Sequence, residues 1–372
     1  MKILAIESSC DEFAAAVVED GMRVLAEAVY SQIDLHKVFG GVVPEIAARS
    51  HVEVAIPVVD ECLAQLEKNS DKADVWDEID ALAVTSRPGL SGSLLIGTLV
   101  ARTLALLKNK PIYGIDHMEG HVYANWLPAG DFTGTRPKPH SKPPGQASGL
   151  LANVDTVSVG FPALALVVSG GHTQIMLFHS HSDYEIAGET QDDAVGEVFD
   201  KVAKILGLPY PGGPSISEAA SRGDAKKYQL PIPKCANPLD FSFSGLKTAV
   251  LRAVQAEVGV DHTFPSFELS ARLNASQRDD FAASFQATAV RALVETMQSA
   301  AGQYKVKNIL LAGGVAANKE LRAKLQEAFG DKVIIPELKY CTDNASMIGA
   351  RAYFLSQYAE PDDALDMEIG VN

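Results

Sequence analysis

The stretch GIDHMEGH, residues 114–121, carries two histidines four apart with a glutamate between them. On a helix that spacing puts His117 and His121 on one face, one turn apart, within reach of a single divalent ion. A zinc peptidase of the H-E-x-x-H kind keeps its glutamate beside the first histidine, where it serves as general base. Here Glu119 follows His117 by two, about 200° round a helix, and so points away from the face that holds both imidazoles. Taken alone, the pair suits either a metal site or two ordinary core or surface histidines. A metal needs a third ligand, and CTDN near the C-terminus offers Asp343.

Two glycine turns could meet an anion. VVSGGHT, residues 167–173, is a hairpin tip of small residues that backbone N–H groups could turn toward a phosphate, or an ordinary tight turn. LAGGVAAN, residues 311–318, runs a strand into a glycine turn at a helix start, where a phosphate or nucleoside can meet the helix N-terminus. Neither has the spacing G-x-G-x-x-G or G-x-x-x-x-G-K-[ST], so Rossmann and P-loop assignments fail. In DDAVGEVFDKVAK, the acids Asp192, Asp193, Glu197 and Asp200 read as a solvated helix face, with Asp200 at its buried margin after Val198 and Phe199. Ser242, Ser244 and Gly245 of DFSFSGLKTAV read as a helix cap. No G-x-S-x-G elbow occurs, and no histidine is assigned by spacing to Cys10, which leaves serine and cysteine hydrolases without support.

Rigid elements must position these residues. KILAIESS followed by FAAAVVEDG reads as strand, polar turn, strand, and PALALVVSGGHTQIMLFHS repeats that plan in the second half. VPEIAARSHVEVAIPVVDECLAQLEK has helical spacing; IDALAVTS is a buried strand, a helix follows from about Leu94 to Leu107, and PIYGID is a short strand that delivers the histidines. PYPGGPSISEAASRG reads as a glycine-proline turn, DDFAASFQATAVRALVETMQSAAG as a long helix, KELRAKLQEAF as a helix and VIIPEL as a strand. CTDNASMIGARAYFLSQYA enters a helix capped by Thr342, Asp343 or Asn344. The alternation predicts an α/β architecture with two related halves.

A chain of 372 residues exceeds one ordinary core, and its 47% hydrophobic and 21% charged residues suit a folded protein. Thirty-two basic against 47 acidic residues give a net charge of -15, which repels nucleic acid unless a local patch or a partner compensates. Cys10, Cys62, Cys235 and Cys341 show no C-x-x-C pairing, as expected of a reducing cytoplasm. The N-terminus turns polar too soon for a secretory leader, and no apolar run reaches the roughly 20 residues of a membrane span. Residues 128–160, rich in Pro, Gly, Ser and Lys, read as an insertion or linker between the halves; its lysines and Arg136 form a local positive patch.

Taken in order, IESSCDE, VVPEIAARSH, HMEGH, VVSGGHT, DDAVGEVFDKVAK, PYPGGPSI, FSFSGLKTAV, LAGGVAAN and CTDNASMI resemble the TsaD (Gcp/OSGEP-like) tRNA N6-adenosine threonylcarbamoyltransferases over nearly the whole chain. The resemblance implies the ASKHA (actin-like ATPase) fold, an α/β architecture of two related domains with mixed sheets around a nucleotide cleft. The expected division is 1–127 for the first domain with the metal-ligand histidines, the insertion at 128–160, 161–345 for the second domain with the glycine loops, and 346–372 for a C-terminal helix and tail packed back on the first. It implies transfer of threonylcarbamoyl from threonylcarbamoyl-AMP to the exocyclic amine of the adenosine 3′ of the anticodon in tRNAs reading ANN codons, with release of AMP.

Carried over by motif, His117, His121 and Asp343 would hold one divalent metal, iron in the first place or zinc. Val167, Val168, Ser169, Gly170 and Gly171 would cradle the phosphate and carbamoyl end of the adenylate, and ATP or AMP could occupy the same site. Asp200, Gly213 and Asn318 would meet the ribose and adenine, and Asp11 or Glu12 would act as base, Asp11 preferred. Ser217 stands where many relatives carry an acidic residue toward the ribose, which leaves that contact open. The implied partners are tRNA, a TsaB-like paralogue, a TsaE-like ATPase and a TsaC-like synthase that supplies the adenylate, or a homodimer as in organellar members, with no membrane. A metallopeptidase and a non-catalytic actin-like nucleotide-binding scaffold are the competing readings.

Overall fold

A computed structural model describes residues 1–128, 159–232 and 234–370. The chain opens on an antiparallel meander of β1 (Lys2–Glu7), β2 (Glu12–Glu19) and β3 (Arg23–Ser31). On the far side of β1, β4 (Ala81–Arg87) and β5 (Ile112–Asp116) join in parallel, giving the order β3-β2-β1-β4-β5. The second half repeats this plan: β6 (Ala163–Val168), β7 (Thr173–Phe178) and β8 (Tyr184–Glu189) form the meander, and β9 (Asn308–Ala312) and β10 (Val333–Ile334) add in parallel beside β6. β1 and β6 are central and covered on both faces, which is why their sequences are continuous apolar runs rather than alternating ones.

In the first lobe α1 (Ile33–His36) and α2 (Pro44–Glu67) connect β3 to β4, and α3 (Ser91–Lys108) connects β4 to β5. In the second, α5 (Val195–Leu206), α6 (Gly212–Ala220), α7 (Ser244–Glu257) and α8 (Ala275–Tyr304) lie between β8 and β9, and α9 (Lys319–Phe329) between β9 and β10. Each half then ends in an equivalent helix: α4 (His117–Tyr123) after β5, and α10 (Ala345–Leu355) after β10. These two helices exchange sides. α4 packs on β6 and β9 of the second sheet, α10 lies across β1, β2, β4 and β5 of the first, and the two pack on each other. One apolar core therefore runs through both lobes, joining Ala5 and Ile115 to Val167, Leu310 and Ile348.

The architecture is the two-lobed α/β arrangement expected. PYPGGPSISEAASRG, expected to be a turn, instead forms α6: Pro214 falls in the first helical turn, where its missing N–H breaks no intrahelical bond. VIIPEL contributes only the two residues of β10. Among the three expected caps Asn344 is the one used, its side chain accepting from Met347 N at 2.9 Å. Most of the expected insertion, residues 129–158, falls outside the described residues. By length and composition α3 alone, among the described helices, could cross a membrane; its packing on α2 and β4 accounts for part of that apolarity.

Candidate metal centre

β5 ends at Asp116, whose carboxylate accepts from Met118 N at 2.9 Å and Glu119 N at 3.3 Å and so starts α4 immediately at His117. On the other lobe Asp343 stands one residue before the Asn344 cap of α10. Because α4 and α10 pack together, the three side chains converge. Asp343 Oδ1 lies 3.4 Å from His117 Nε2 and 3.3 Å from His121 Nε2, and the two imidazole centroids are 4.5 Å apart. All three candidate donor atoms fall within 4.8 Å of one another.

His121 is 1% exposed, yet neither of its ring nitrogens makes a hydrogen bond. A buried imidazole left so costs free energy unless something else takes the lone pair. Two imidazole nitrogens and a carboxylate oxygen form a donor set that fits iron or zinc and leaves coordination positions open.

Glu7, the last residue of β1, is fully buried and stands behind His117, with Oε2 3.0 Å from Nδ1. Oε1 accepts from Ser9 N at 2.6 Å, Thr85 Oγ1 donates to the same Oε2 that faces His117, and Ser9 Oγ lies 3.2 Å from that Nδ1. With Nδ1–H donated to Glu7, Nε2 is the nitrogen that would ligate an ion held between Asp343 and His121. Burial alone would raise both carboxyls, but the charge of His117 outweighs it and holds Glu7 and Asp343 below the usual carboxylate range. Burial likewise opposes charge on His117, and the two carboxylates overcome it, whereas His121 is pushed down by burial and by His117. Sequence reasoning passed over Glu7. Its one local signal is an acid closing an otherwise apolar strand.

The remaining expected site residues surround this centre. Asp11 is buried in the β1–β2 tip, which His51 holds by donating from Nε2 to Cys10 O at 3.1 Å while Gln32 meets its Nδ1 at 2.8 Å. Glu12 opens β2 and accepts from Ser31 Oγ at 3.2 Å; burial, then Asp343 and Asp11, push its carboxyl up to about 9.

Val167 and Val168 are fully buried in β6, where they pair with Gln174 and Thr173 of β7. At the tip Ser169 N donates to His172 O at 2.8 Å and His172 N to Ser169 Oγ at 3.1 Å. Gly170 and Gly171 are exposed, and a Cβ on either would meet nothing within 4 Å. His172 is pushed down to about 4 by burial and then by the charges of His117 and His121, so this tip carries a neutral imidazole.

Asp200 of α5 accepts from Gly212 N at 2.6 Å and lines a cleft of about 430 Å³ with Lys37, Phe39, Lys204 and Tyr210. Gly213 follows in the first turn of α6 with open space where a Cβ would stand. Asn318 caps α9 by accepting from Leu321 N at 3.0 Å, and its Nδ2 donates to Gln286 Oε1 at 2.8 Å and Ser217 Oγ at 3.1 Å. Ser217 also donates to Gln286 Oε1 at 2.8 Å, and Gln286 Nε2 to Glu320 at 2.8 Å, so this serine belongs to the network that orients Asn318. Asp192 and Asp193, expected on a solvated helix face, precede α5 instead. Asp192 takes four hydrogen bonds from residues 242–244 at the start of α7, and Asp193 pairs with Lys201 at 2.9 Å and Lys247 at 3.2 Å.

Residues 23–137 and 147–350 match the sequence model of the TsaD family, tRNA N6-adenosine threonylcarbamoyltransferase. A relative of that name from Thermomicrobium roseum is 43% identical over 376 residues, covering 99% of this chain and 95% of its own. Another, from Halalkalibacterium halodurans, is 46% identical over 356 residues, covering 94% of this chain and 90% of its own. Among solved structures HypF of T. kodakarensis aligns with a TM-score of 0.55 over 96% of this chain and 48% of that chain; at 12% identity this is a likeness of fold alone.

Proposed function

The chain belongs to the tRNA N6-adenosine threonylcarbamoyltransferase family, and from that premise we propose how its own residues carry out the transfer. The enzyme moves a threonylcarbamoyl group from threonylcarbamoyl-AMP to the exocyclic amine of the adenosine 3′ of the anticodon in tRNAs reading ANN codons, and releases AMP. Nothing favours the peptidase or the scaffold reading: Glu119, the only glutamate of the motif, is buried against Arg351 and Tyr184.

His117, His121 and Asp343 hold one divalent ion, iron or zinc; the observation that carries this is the convergence of two buried imidazoles and a half-buried carboxylate, with His121 making no other contact through its ring nitrogens. Bound there, the ion supplies Lewis acidity toward an acyl or phosphate oxygen. The open tip at Ser169, Gly170 and Gly171 receives the phosphate and carbamoyl end along the backbone of Val167 and Val168. Asp200, Gly213 and Asn318 receive the ribose and adenine of the adenylate. Adenosine N6 is a weak nucleophile because its lone pair is delocalised into the ring, so fixed geometry and a base must assist it. Asp11 takes the amine proton as the N–C bond to the carbamoyl carbon forms; the bond from that carbon to the phosphate oxygen breaks and AMP leaves with both electrons.

The net charge of -15 supports a requirement for partners in tRNA binding. A TsaB-like paralogue and a TsaE-like ATPase fill that role, a TsaC-like synthase supplies the adenylate, and a homodimer is the alternative arrangement. Val52 and Ile56 on α2, and Leu95 and Leu99 on α3, form exposed apolar ridges on two packed helices that suit such a subunit. The tRNA substrate and four cysteines without disulfides support a cytoplasmic setting. The domain division at 127 and 161, with the tail from 346 returned to the first domain, is supported by the two sheets and the packing of α10.

The test is reconstitution with purified synthase, ATP, threonine, bicarbonate and tRNA, with nucleosides read by mass spectrometry with and without the partners. Threonylcarbamoyladenosine should form, disappear on chelation and return with iron or zinc. No modified adenosine under any combination would overturn the reading.

A further inference from the structure

Glu119 sits between the two histidines yet faces away from the ion they would hold. It is 8% exposed, and both of its oxygens are taken: Oε2 by Nε of Arg351 on α10, which lies across the first sheet, and Oε1 by the Tyr184 hydroxyl of β8 in the second sheet at 2.9 Å. Arg351 is 5% exposed, its guanidinium stands 4.9 Å from the ring centroid of Tyr123 on α4, and its Nη1 has no partner of its own. The carboxylate of Glu119 is thus the counter-charge on which a buried cation depends, and breaking such a pair from one side is strongly unfavourable.

The helices touch one residue further on. A Cβ on Gly120 would lie 2.7 Å from Ile348 Cδ1, so at that point α4 offers bare backbone to the Ile348 side chain of α10. With contact at Gly120 and Ile348 and a charged tie at Glu119 and Arg351, α10 can neither slide nor turn freely on α4. Asp343 precedes Arg351 by eight residues, about two helical turns. Any slip of α10 would carry Asp343 off its 3.3–3.4 Å separation from the imidazoles, whereas a bound ion needs every ligand at about 2.0–2.2 Å.

We propose that Glu119 and Arg351 are positioning residues, a buried strut between the lobes that sets the span between the histidines of α4 and Asp343 and thereby the affinity of the centre for its ion. This rests on the metal reading above, and its test reads metal binding rather than turnover. Metal-free protein is titrated with Co2+ alone, following the visible d–d band, for wild type, Glu119→Gln, Arg351→Lys and Tyr184→Phe. Val250→Ala, a fully buried site of the second lobe away from the strut, serves as a control for loss of stability.

Glu119→Gln and Arg351→Lys should each raise the Co2+ dissociation constant about tenfold or more, the scale seen when an outer partner of a metal ligand is lost. Their d–d bands should change in intensity. Val250→Ala should stay within about twofold of wild type even where its Tm falls as far. Tyr184→Phe, which keeps the ion pair and loses one hydrogen bond, should show a smaller rise, and with Arg351→Lys it decides the matter if Glu119→Gln does not fold. Affinities within twofold of wild type in the strut variants, or an equal loss in Val250→Ala, would overturn the strut. No Co2+ band in wild type would overturn the metal reading itself.

Discussion

Oε2 of Glu7 lies 3.0 Å from Nδ1 of His117, so a fully buried carboxylate at the end of β1 orients the first imidazole of α4 toward Asp343. Glu7→Gln keeps the shape but removes the charge and turns one of the two acceptor oxygens into an NH2 donor. Zinc affinity, measured by competition with a chromophoric chelator, should fall about 10- to 100-fold. An unchanged constant would show that Glu7 does not tune the centre.

His121, whose Nδ1 has no partner and whose Nε2 meets only the Asp343 carboxylate at 3.3 Å, makes a second expectation. An ion that binds only the folded chain stabilises it by about 2.7 kcal/mol at a hundredfold excess over Kd. Zinc or iron should therefore raise the wild-type Tm, and chelation should lower it. His121→Ala should lose that response together with the transfer reaction; a Tm in this variant that still climbs with metal would place the ion elsewhere.

Two glycines separate scaffold from cradle. A Cβ on Gly196 would drive into the carbonyl of Ser169, whereas one on Gly170 would meet nothing within 4 Å. Gly196→Ala should cost about 1–3 kcal/mol in urea unfolding by overpacking. Gly170→Ala should stay within about 0.5 kcal/mol of wild type, as exposed sites usually do. It should nevertheless weaken AMP binding by calorimetry, because the methyl fills the space that a phosphate would take. Normal AMP affinity in Gly170→Ala would remove the tip from the ligand site.

His181 stacks on Phe354 of α10 with centroids 4.2 Å apart, and its Nδ1 lies 2.9 Å from the Tyr123 hydroxyl. Burial, then the charge of Arg351, push its pKa down to about 4. Between about 6.5, the ordinary histidine value, and 4, the unfolded chain binds a proton that the folded chain does not. Stability should therefore fall as pH falls through that window. Tm measured at steps from pH 7 to 4.5 should drop less steeply in His181→Gln than in wild type; parallel curves would assign the loss to other groups.

Much of the molecule was legible along the chain. Four-residue spacing put His117 and His121 on one helical face, and the same geometry turned Glu119 away from them. Two apolar strands joined by a polar tip, occurring twice, announced the duplicated lobes, and nine motifs in order carried the family. Local order was also where reading failed: proline and glycine in PYPGGPSI suggested a turn where the first turn of α6 accepts both.

The sequence by itself thus determined which face each candidate residue takes, because helix and strand periods are set by near neighbours. It could not determine who stands opposite. Glu7 meets His117 across 110 residues and Glu119 meets Arg351 across 232. Such pairs carry no periodic trace; they exist only because the sheets duplicate, α4 and α10 cross to each other's lobe, and close packing leaves each buried charge one place to find its partner.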